Sequence, residues 1–506
     1  MKLAGIFQDR MILQRDRENH IWGEDDKASQ VTVTVLGKNV TADVKEGRFD
    51  VVIPPLKAAK DIDIEITGSE TITLREVCFG DVFVLSGQSN MELPVYRTFD
   101  QSEAEIKASN YPYIRQYRLT PRRDYREDEW YTLPEMKWVS AVPGQIDEIS
   151  AYGFFVFKEL YDEMDIPFGL ILNAQGGSSV AAWLPPECVK EYTDEYDLIE
   201  KYWGEGVLSG YLSEQEKRTI KWRNETRVVD PDVFSKNIPS ETEEVTMPGL
   251  IHDITGAVWL YKEFESEEEV EDAFLYAGML IDADATYING HEVGRTEYMY
   301  PPRKYNVDPS FVKKGTNLIA IRLIAERESG GGVPFHPYYI RLNGKKTSLE
   351  GTWKLYMEKK MDVFVPGRML ICFPSILYKS SLLTLKNVSV KGFLWYQGES
   401  DTGNPEGYDI KFKAMVENVR AILGEDLPVV ITELTDYIDP QSEDTSRVPD
   451  NWRSVQEQQL KVSETVPFSA CVPARDLGDM YELHTQKKAL LAARAVPIIK
   501  KIVYKQ

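Results

Sequence analysis

The chain has 506 residues, which is too long for one hydrophobic core, so we expect several domains. Its hydrophobic content of 42% and charged content of 28% are typical of a soluble globular protein. The net charge of −22 repels phosphate backbones and anionic lipid. This charge therefore argues against nucleic acids and membranes as partners.

Neither a metal site nor a targeting segment is visible in the sequence. The four cysteines are far apart and form no CxxC or Cys/His cluster, so we expect free thiols and no bound metal. The first ten residues lack the apolar segment of a signal peptide. No run of 18 apolar residues follows. These observations predict a cytoplasmic protein.

Residues 1–76 have the pattern of a small β module. Short alternating runs are separated by glycine, proline and charged turns, and they lie at 31–36, 49–53, 62–66 and 71–74. Alternation of apolar and polar residues is typical of strands with one buried face. The segment is therefore predicted to be an antiparallel β-sandwich.

Near residue 77 the pattern changes to that of an α/β domain. Residues 82–85 form an apolar run that ends in Ser-Gly, as a buried parallel strand would. A helix is predicted from Ser150, a suitable N-cap, to Glu163, and a second apolar strand at 168–172. Strand, helix and strand in this order predict a parallel sheet, which we assign to residues 77–227.

An all-β segment then interrupts the α/β pattern. Residues 228–358 contain several short strands, and Asn289-Gly290 is a strong hairpin signal. We predict an inserted jelly roll there. Residues 359–506 return to the α/β pattern, with strands at 390–396 and 427–432 and helices at 407–423 and 485–504. The parallel-sheet domain is therefore predicted to be split by the insertion.

Four polar loops carry the candidate chemistry, and three of them directly follow apolar strands. Parallel strands deliver such loops to one edge of a sheet, where open α/β sheets bind ligands. Together the loops offer a hydroxyl nucleophile, glycine amides, a side-chain amide and an imidazole, which suits acyl transfer. The loops are 87–90, 175–178, 395–401 and 476–484.

Each role has a candidate residue. We assign Ser89 as the nucleophile, although Ser-Gly-Gln-Ser is also an ordinary polar turn. His484 is the candidate base, because the other four histidines lie in the β segments. The amides of Ser89 and Gly177 and the side chain of Gln397 are candidate oxyanion donors. Alternatively, Gly176-Gly177 is only a tight turn and Gln397 a buried structural amide.

The four blocks resemble one known family. Gly-Gln-Ser-Asn-Met at 87–91, Gly-Gly-Ser at 176–178, Trp-Tyr-Gln-Gly-Glu-Ser at 395–400 and Asp-Leu-Gly-Asp…His at 476–484 are similar to the sialate O-acetylesterase-like branch of the SGNH hydrolases. This resemblance implies an α/β fold with a flavodoxin-like, three-layer parallel-sheet domain. It also implies that Ser89 is the nucleophile, His484 the base, and Gly177 and Gln397 part of the oxyanion hole.

The resemblance extends to both β segments. Met11-Ile-Leu-Gln-Arg15 is similar to the N-terminal module of the family. The region around Ile288-Asn-Gly290 is similar to its jelly-roll insertion, which in turn resembles sugar-binding domains of glycosidases. The similarity therefore covers nearly the whole chain.

The last block departs from the family pattern. The family typically has Asp-Ile-His-Pro, whereas this chain has Glu482-Leu-His484-Thr. The acid that orients His484 is therefore open: Glu482 is the first candidate, Asp479 the second, and a backbone carbonyl the third. Glu399 and Gly176 are expected to support the reacting groups without contacting the substrate. Glu399 and Asp401 are too close in sequence for a glycosidase pair, which must flank a sugar ring.

These expectations define the predicted function. The resemblance implies a serine esterase that removes O-acetyl groups from a carbohydrate through an acyl-enzyme, without a cofactor. A neutral esterified sugar would not be repelled by the acidic chain. Two alternatives remain: a non-catalytic carbohydrate-binding protein with a degenerate site, and a glycosidase, which rests on fold analogy alone. A homodimer is a further expectation.

Overall fold

The structure is a computed structural model that describes residues 1–123, 125, 136–226, 231–440, 442 and 444–506. The chain divides into two units. The first contains Met1–Leu212, Arg368–Tyr437 and Val448–Gln506, and the second contains Ser213–Gly367 and Ile438–Arg447. Within the described ranges, no helix is both long enough and apolar enough to span a bilayer.

The N-terminal part of the chain, up to residue 226, contains eleven strands and six helices among its described residues. The strands are β1 (Lys2–Leu3), β2 (Ile12–Gln14), β3 (Asn19–Glu24), β4 (Gln30–Val35), β5 (Lys38–Asp43), β6 (Arg48–Ile53), β7 (Ala59–Thr67), β8 (Thr71–Gly87), β9 (Tyr111–Arg118), β10 (Trp138–Ala141) and β11 (Phe168–Ala174). The helices are α1 (Ser89–Glu92), α2 (Phe99–Ala108), α3 (Ala151–Met164), α4 (Pro186–Tyr192), α5 (Tyr196–Tyr202) and α6 (Val207–Glu225).

The middle part is dominated by strands. After helix α7 (Pro231–Ser235) come β12 (Glu243–Met247), β13 (Gly249–His252), β14 (Gly256–Ser266), β15 (Ala273–Ala277), β16 (Leu280–Ile281), β17 (Ala283–Ile288), β18 (His291–Thr296), β19 (Lys304–Val307), β20 (Gly315–Ala325), β21 (Ser329–Gly332), β22 (Tyr338–Leu342), β23 (Lys345–Ser348) and β24 (Gly351–Lys360). The C-terminal part alternates again, with α8 (Ile376–Ser380), β25 (Gly392–Tyr396), α9 (Tyr408–Leu423), β26 (Val429–Thr432), α10 (Asp450–Thr465), β27 (Ser469–Val472) and α11 (Lys488–Val503).

Most N-terminal strands form two antiparallel groups, whereas β2 pairs in parallel with β8. Strands β1, β3 and β6 make one sheet, and β5, β4 and β7 pair in that order onto the first half of β8. Strand β8 then continues without a break into the large sheet of the first unit. The predicted domain boundary between residues 76 and 77 therefore falls inside a single 17-residue strand.

A buried carboxylate ties the ends of the first unit to β8. Asp81 has no exposed surface and accepts hydrogen bonds from Nε of Arg15 at 2.8 Å and from the hydroxyl of Tyr504 at 2.7 Å. A buried charge is tolerated only when it is paired and hydrogen-bonded, and Asp81 is both. The N-terminal strands and the C-terminal helix are thus anchored to the same strand.

The second half of β8 lies in the middle of a parallel sheet. The order of this part of the sheet is β11-β8-β25-β26-β27, and all four neighbouring pairs are parallel. Counted along the chain, these five strands lie in the order 2-1-3-4-5. Strands β9 and β10 extend the sheet beyond β11. The predicted parallel sheet is confirmed.

The helices that cover the sheet follow from local sequence signals. Helix α3 begins after Ser150, whose hydroxyl accepts a hydrogen bond from the amide of Gly153 at 3.2 Å. This N-cap was predicted and is confirmed. Its apolar positions are buried, because helical spacing collects them on the face toward the sheet. Three further helices, α4, α5 and α6, follow between Pro186 and Glu225.

The second unit is built from antiparallel strands. Its sheets have the orders β12-β24-β14-β20-β17-β18, β13-β21-β16 and β19-β15-β22-β23, and one apolar cluster is shared by strands of all three. The predicted hairpin is confirmed: Asn289 and Gly290 have φ values of 50° and 88° and join β17 to β18. The longer segment of the unit runs from 213 to 367, compared with the predicted 228–358, and 438–447 is its second segment. The predicted boundary at 228 lies outside the described residues.

We expect Gly87→Ala to destabilise the protein by about 3 kcal/mol. Gly87 ends β8 with φ +128°, and a Cβ there would lie 2.2 Å from the carbonyl oxygen of Tyr396. Gly144→Ala is the control, since it has φ +79° but no atom within 4 Å of the added Cβ. Urea unfolding followed by circular dichroism measures both. Equal losses in the two variants would contradict close packing at Gly87.

Candidate active site

Three strands end at the same level of the parallel sheet. Gly87 of β8 is in register with Ala174 of β11 and with Tyr396 of β25. The amide of Gln88 donates to the carbonyl of Tyr396 at 2.9 Å, and the amide of Gln175 donates to the carbonyl of Gly87 at 3.0 Å. Three of the four predicted loops therefore start side by side, as the parallel pattern requires.

Ser89 begins helix α1, directly after the turn at Gly87-Gln88. Its side chain is partly exposed, whereas the flanking Gln88 and Asn90 are buried. A hydroxyl at the end of a central strand and at the surface is accessible to a substrate. The structure thus places Ser89 where a nucleophile could act.

The Gly-Gly turn after β11 packs against Ser89. A Cβ added to Gly176 would lie 3.3 Å from the Cβ of Ser89, so only a very small residue fits beside the serine. The amide of Gly176 donates to Oε2 of Glu92 at 2.8 Å, and Arg118 donates to the other oxygen of Glu92. Gly177 follows with φ +81°, a conformation that favours glycine. Glu92 therefore holds this turn against the helix that begins at Ser89.

Gln397 is fully buried, and its side chain already has partners. Nε2 donates to the carbonyl of Ser178 at 3.0 Å and to Oδ2 of Asp401 at 2.5 Å, and Oε1 accepts from the hydroxyl of Tyr408 at 3.2 Å. Both amide hydrogens are thus used within the protein. In this structure Gln397 braces the loops, which is the second of the two readings that the sequence left open.

His484 lies in the segment between β27 and α11. The helix predicted from residue 485 begins at Lys488, so His484 precedes it by four residues and is not on it. The next residue, Thr485, is buried, and its hydroxyl donates to the carbonyl of Leu477 at 2.8 Å. His484 itself is 7% exposed. The fold of the segment therefore fixes the backbone next to the imidazole.

Asn90 connects the serine loop to the histidine loop. Its Nδ2 donates to Oε1 of Glu399 at 2.6 Å and to the carbonyl of Leu483 at 3.0 Å. Its Oδ1 accepts from Nζ of Lys488 at 2.7 Å. One side chain adjacent to Ser89 thus contacts the residue before His484, the C-terminal helix and the loop after β25. These contacts bring the blocks of Ser89, Glu399 and His484 together.

Asn90 and Lys488 are the functional residues that the sequence did not identify as such. Asn90 was part of a quoted motif but received no role. Lys488 is fully buried, although lysine is almost never buried without a partner. Its Nζ also lies 4.7 Å from the ring centroid of Tyr396, a cation–π distance. A lysine four residues after the candidate base was the only sequence signal for this contact.

Burial dominates the electrostatics of the site. Burial, together with the charges of Arg97 and Lys488, lowers the pKa of His484 to about 3. It also lowers the pKa of Lys488 to about 7 and raises that of Glu399. Each shift favours the neutral form, because a charge in a low-dielectric site is poorly solvated. A neutral imidazole at physiological pH can accept a proton.

The two candidate acids lie in different environments. Glu482 is buried, with 7% of its surface exposed. The side chain of Asp479 is 48% exposed and forms an ion pair with Nζ of Lys487 at 2.5 Å. An exposed, paired carboxylate interacts weakly with a buried imidazole. Burial therefore favours Glu482 over Asp479 as the candidate acid.

No group of three or more His, Cys, Asp or Glu side chains suited to a metal ion occurs in the part of the chain that the structure describes. The four cysteines are free thiols, as expected from the sequence.

Comparisons with known proteins match the part of the chain that contains the loops 395–401 and 476–484. Residues 364–494 match the family described as carbohydrate esterase, sialic acid-specific acetylesterase. The sialate O-acetylesterase of Mus musculus is 28% identical over 201 residues, and that of Homo sapiens is 27% identical over 202 residues. The predicted resemblance to the sialate O-acetylesterase-like family is confirmed.

The alignments with the sialate O-acetylesterases cover only part of each protein. They cover 36% of this chain, 37% of the mouse protein and 38% of the human protein, so the match spans less than two fifths of these curated relatives. A solved carbohydrate acetylesterase from Xanthomonas citri aligns over 100% of this chain and 76% of its own, with a TM-score of 0.61 and 17% identity. The chain has a carbohydrate esterase fold with mixed sheets and helices.

We expect His484 to make stability depend on pH. Its pKa is about 3 when folded and 6.5 in its ordinary state, so between these values the unfolded chain binds more protons. Stability from this group is complete above pH 6.5 and is lost as the pH falls. The free energy of unfolding should fall by about 2 kcal/mol more in the wild type than in His484→Gln between pH 8 and pH 5. Parallel curves in urea titrations would show that His484 titrates normally.

Proposed function

We propose that this protein is a serine esterase that removes O-acetyl groups from a carbohydrate. The observation that carries the proposal is the set of contacts made by Asn90, which joins the loops of Ser89, Glu399 and His484 at the ends of the parallel strands. The resemblance to sialate O-acetylesterases supports the substrate class.

We further propose that the first unit has the SGNH-hydrolase layout and that the second is an inserted jelly roll. The order 2-1-3-4-5 of β11-β8-β25-β26-β27 supports the first statement, because it is the flavodoxin-like order. Antiparallel sheets around a shared apolar cluster support the second.

The reaction uses the groups in order. Oγ of Ser89 attacks the carbonyl carbon of the acetyl ester while its proton passes to neutral His484. The tetrahedral intermediate collapses, the ester C–O bond breaks, and the sugar hydroxyl leaves with the proton from His484. Water then attacks the acetyl-enzyme, and His484 again accepts the proton. The bond between the acyl carbon and Oγ breaks, Oγ of Ser89 takes the proton back from His484, and acetate leaves.

The oxyanion is stabilised by backbone donors in this proposal. The amide of Ser89 is in the first turn of α1, where backbone amides have no acceptor within the helix. The amide of Gly177 follows the turn that packs on Ser89. Gln397 contributes a third donor when the oxyanion replaces one of its two acceptors, Ser178 or Asp401.

Ser89→Ala should abolish hydrolysis of p-nitrophenyl acetate without changing the unfolding midpoint. His484→Ala should lose nearly as much activity, because nucleophile and base act as a unit. Ser463→Ala is the control, since its hydroxyl donates to the carbonyl of Leu460 on the exposed side of α10. Sugar binding with no esterase activity in the wild type would favour the non-catalytic alternative instead.

Glu482→Gln is expected to lower kcat by about 10²–10⁴, because the amide cannot stabilise the imidazolium. Asp479→Asn should change kcat less than tenfold, since its carboxylate is exposed and paired with Lys487. Glu399→Gln keeps an oxygen acceptor for Asn90 and should also have the smaller effect. Rates on p-nitrophenyl acetate at pH 8 compare the three. A larger loss in Glu399→Gln than in Glu482→Gln would assign the orienting role to Glu399.

A further inference from the structure

A large cavity in the first unit adjoins the oxyanion turn. Its volume is about 650 Å³, and its wall includes Gly177, Ser400 and Asp401 together with the end of α4 and the start of α9. This volume is in the range of small-molecule binding sites. Sγ of Cys372, another wall residue, lies 3.6 Å from the carbonyl of Gly177 and can donate to it. The cavity and the proposed oxyanion hole thus share Gly177.

Two charged residues with little exposed surface, Lys411 and Asp401, line the cavity wall. Lys411 is only 8% exposed, and among the described residues its ammonium group forms no hydrogen bond or ion pair. Asp401 is 6% exposed, and its Oδ2 accepts from the amide of Val180 at 3.0 Å and from Gln397. Its Oδ1 accepts no hydrogen bond within the described part of the chain. Both residues line the cavity, so the ammonium group of Lys411 and Oδ1 of Asp401 can bind a polar ligand there.

The two groups are close enough to interact but do not form an ion pair. The charge of Lys411 favours the ionised form of Asp401, while burial raises the pKa of Asp401 to about 6. At neutral pH the pair therefore presents one carboxylate oxygen and one ammonium group. A hydroxyl can donate to the first and accept from the second at the same time.

The remaining charges of the wall disfavour an anionic ligand. The wall contains five carboxylates and three cations. Arg368 is already paired with Glu195 at 2.7 Å, and Nζ of Lys190 lies 5.3 Å from the ring centroid of Tyr196. Among the described residues, Lys411 is thus the one cation of the wall that has neither an ion pair nor a cation–π contact. The carboxylates of the wall outnumber the cations. An anionic sugar would enter against this field.

We propose that this cavity is the subsite for the sugar, and that it takes a neutral O-acetylated sugar whose free hydroxyl bridges Lys411 and Asp401. This inference rests on the proposed function, because it places the acetyl group at Ser89 while the ring lies beyond Gly177. Lys411 then determines substrate specificity and takes no part in the chemistry at the ester.

The test compares the hydrolysis of two substrates by Lys411→Met, Lys411→Arg and a control variant. The ratio of kcat/KM on acetylated xylo- or manno-oligosaccharides to kcat/KM on p-nitrophenyl acetate should fall at least tenfold in Lys411→Met. Lys411→Arg keeps the charge and should retain most of the ratio. Lys413→Met is the matched control on the same helix, because the side chain of Lys413 is 57% exposed and pairs with Glu417 at the surface. An unchanged ratio in Lys411→Met would overturn the inference.

A second measurement needs no variant. Wild-type protein should cleave the neutral acetylated oligosaccharides with a kcat/KM at least tenfold higher than that for O-acetylated sialosides, which carry a carboxylate. Equal rates or a preference for the sialosides, with p-nitrophenyl acetate still cleaved, would overturn this inference alone. No cleavage of p-nitrophenyl acetate would instead remove the proposed esterase function.

Discussion

The arrangement of the site depends on the side-chain amide of Asn90. It has two donor hydrogens and one acceptor oxygen, and all three are used: the donors by Glu399 and Leu483, the acceptor by Lys488. Aspartate would lose both donors and add a charge, and leucine would leave three buried polar groups unpaired. One side-chain amide thus links the loop of Ser89 to the loop of His484, although the two are far apart in sequence.

The low polarity around this amide determines the protonation states of His484, Lys488 and Glu399. Burial drives the pKa of His484 down to about 3 and that of Lys488 to about 7, while it raises that of Glu399. The imidazole is therefore neutral over the physiological range, which is the form that can accept a proton. Lys488 and Glu399 are both tied to Asn90, so the net charge beside the base depends on groups that the same amide positions.

The sequence predicted the site where local pattern decides structure. An apolar run cut off by glycine predicted the end of β8, and an apolar run followed by a polar loop predicted that of β25. The parallel order then brings their loops together. The role of Lys488 depends on contacts between segments 398 residues apart, which no local pattern reveals. The role of Gln397, as an oxyanion donor or a structural amide, was left open because it too depends on contacts between distant segments. The boundary at residue 76 falls within β8 because an alternating strand continues directly into a fully buried one.

The central claim is that Ser89 forms a covalent acyl-enzyme. Incubation with diethyl p-nitrophenyl phosphate, a reagent that phosphorylates activated serines, followed by peptide mass spectrometry tests it most directly. We expect one diethylphosphoryl group, on the peptide that contains Ser89. Hydrolysis of p-nitrophenyl acetate should be lost in proportion to the labelling. A label on another residue, or full labelling with undiminished hydrolysis, would contradict it.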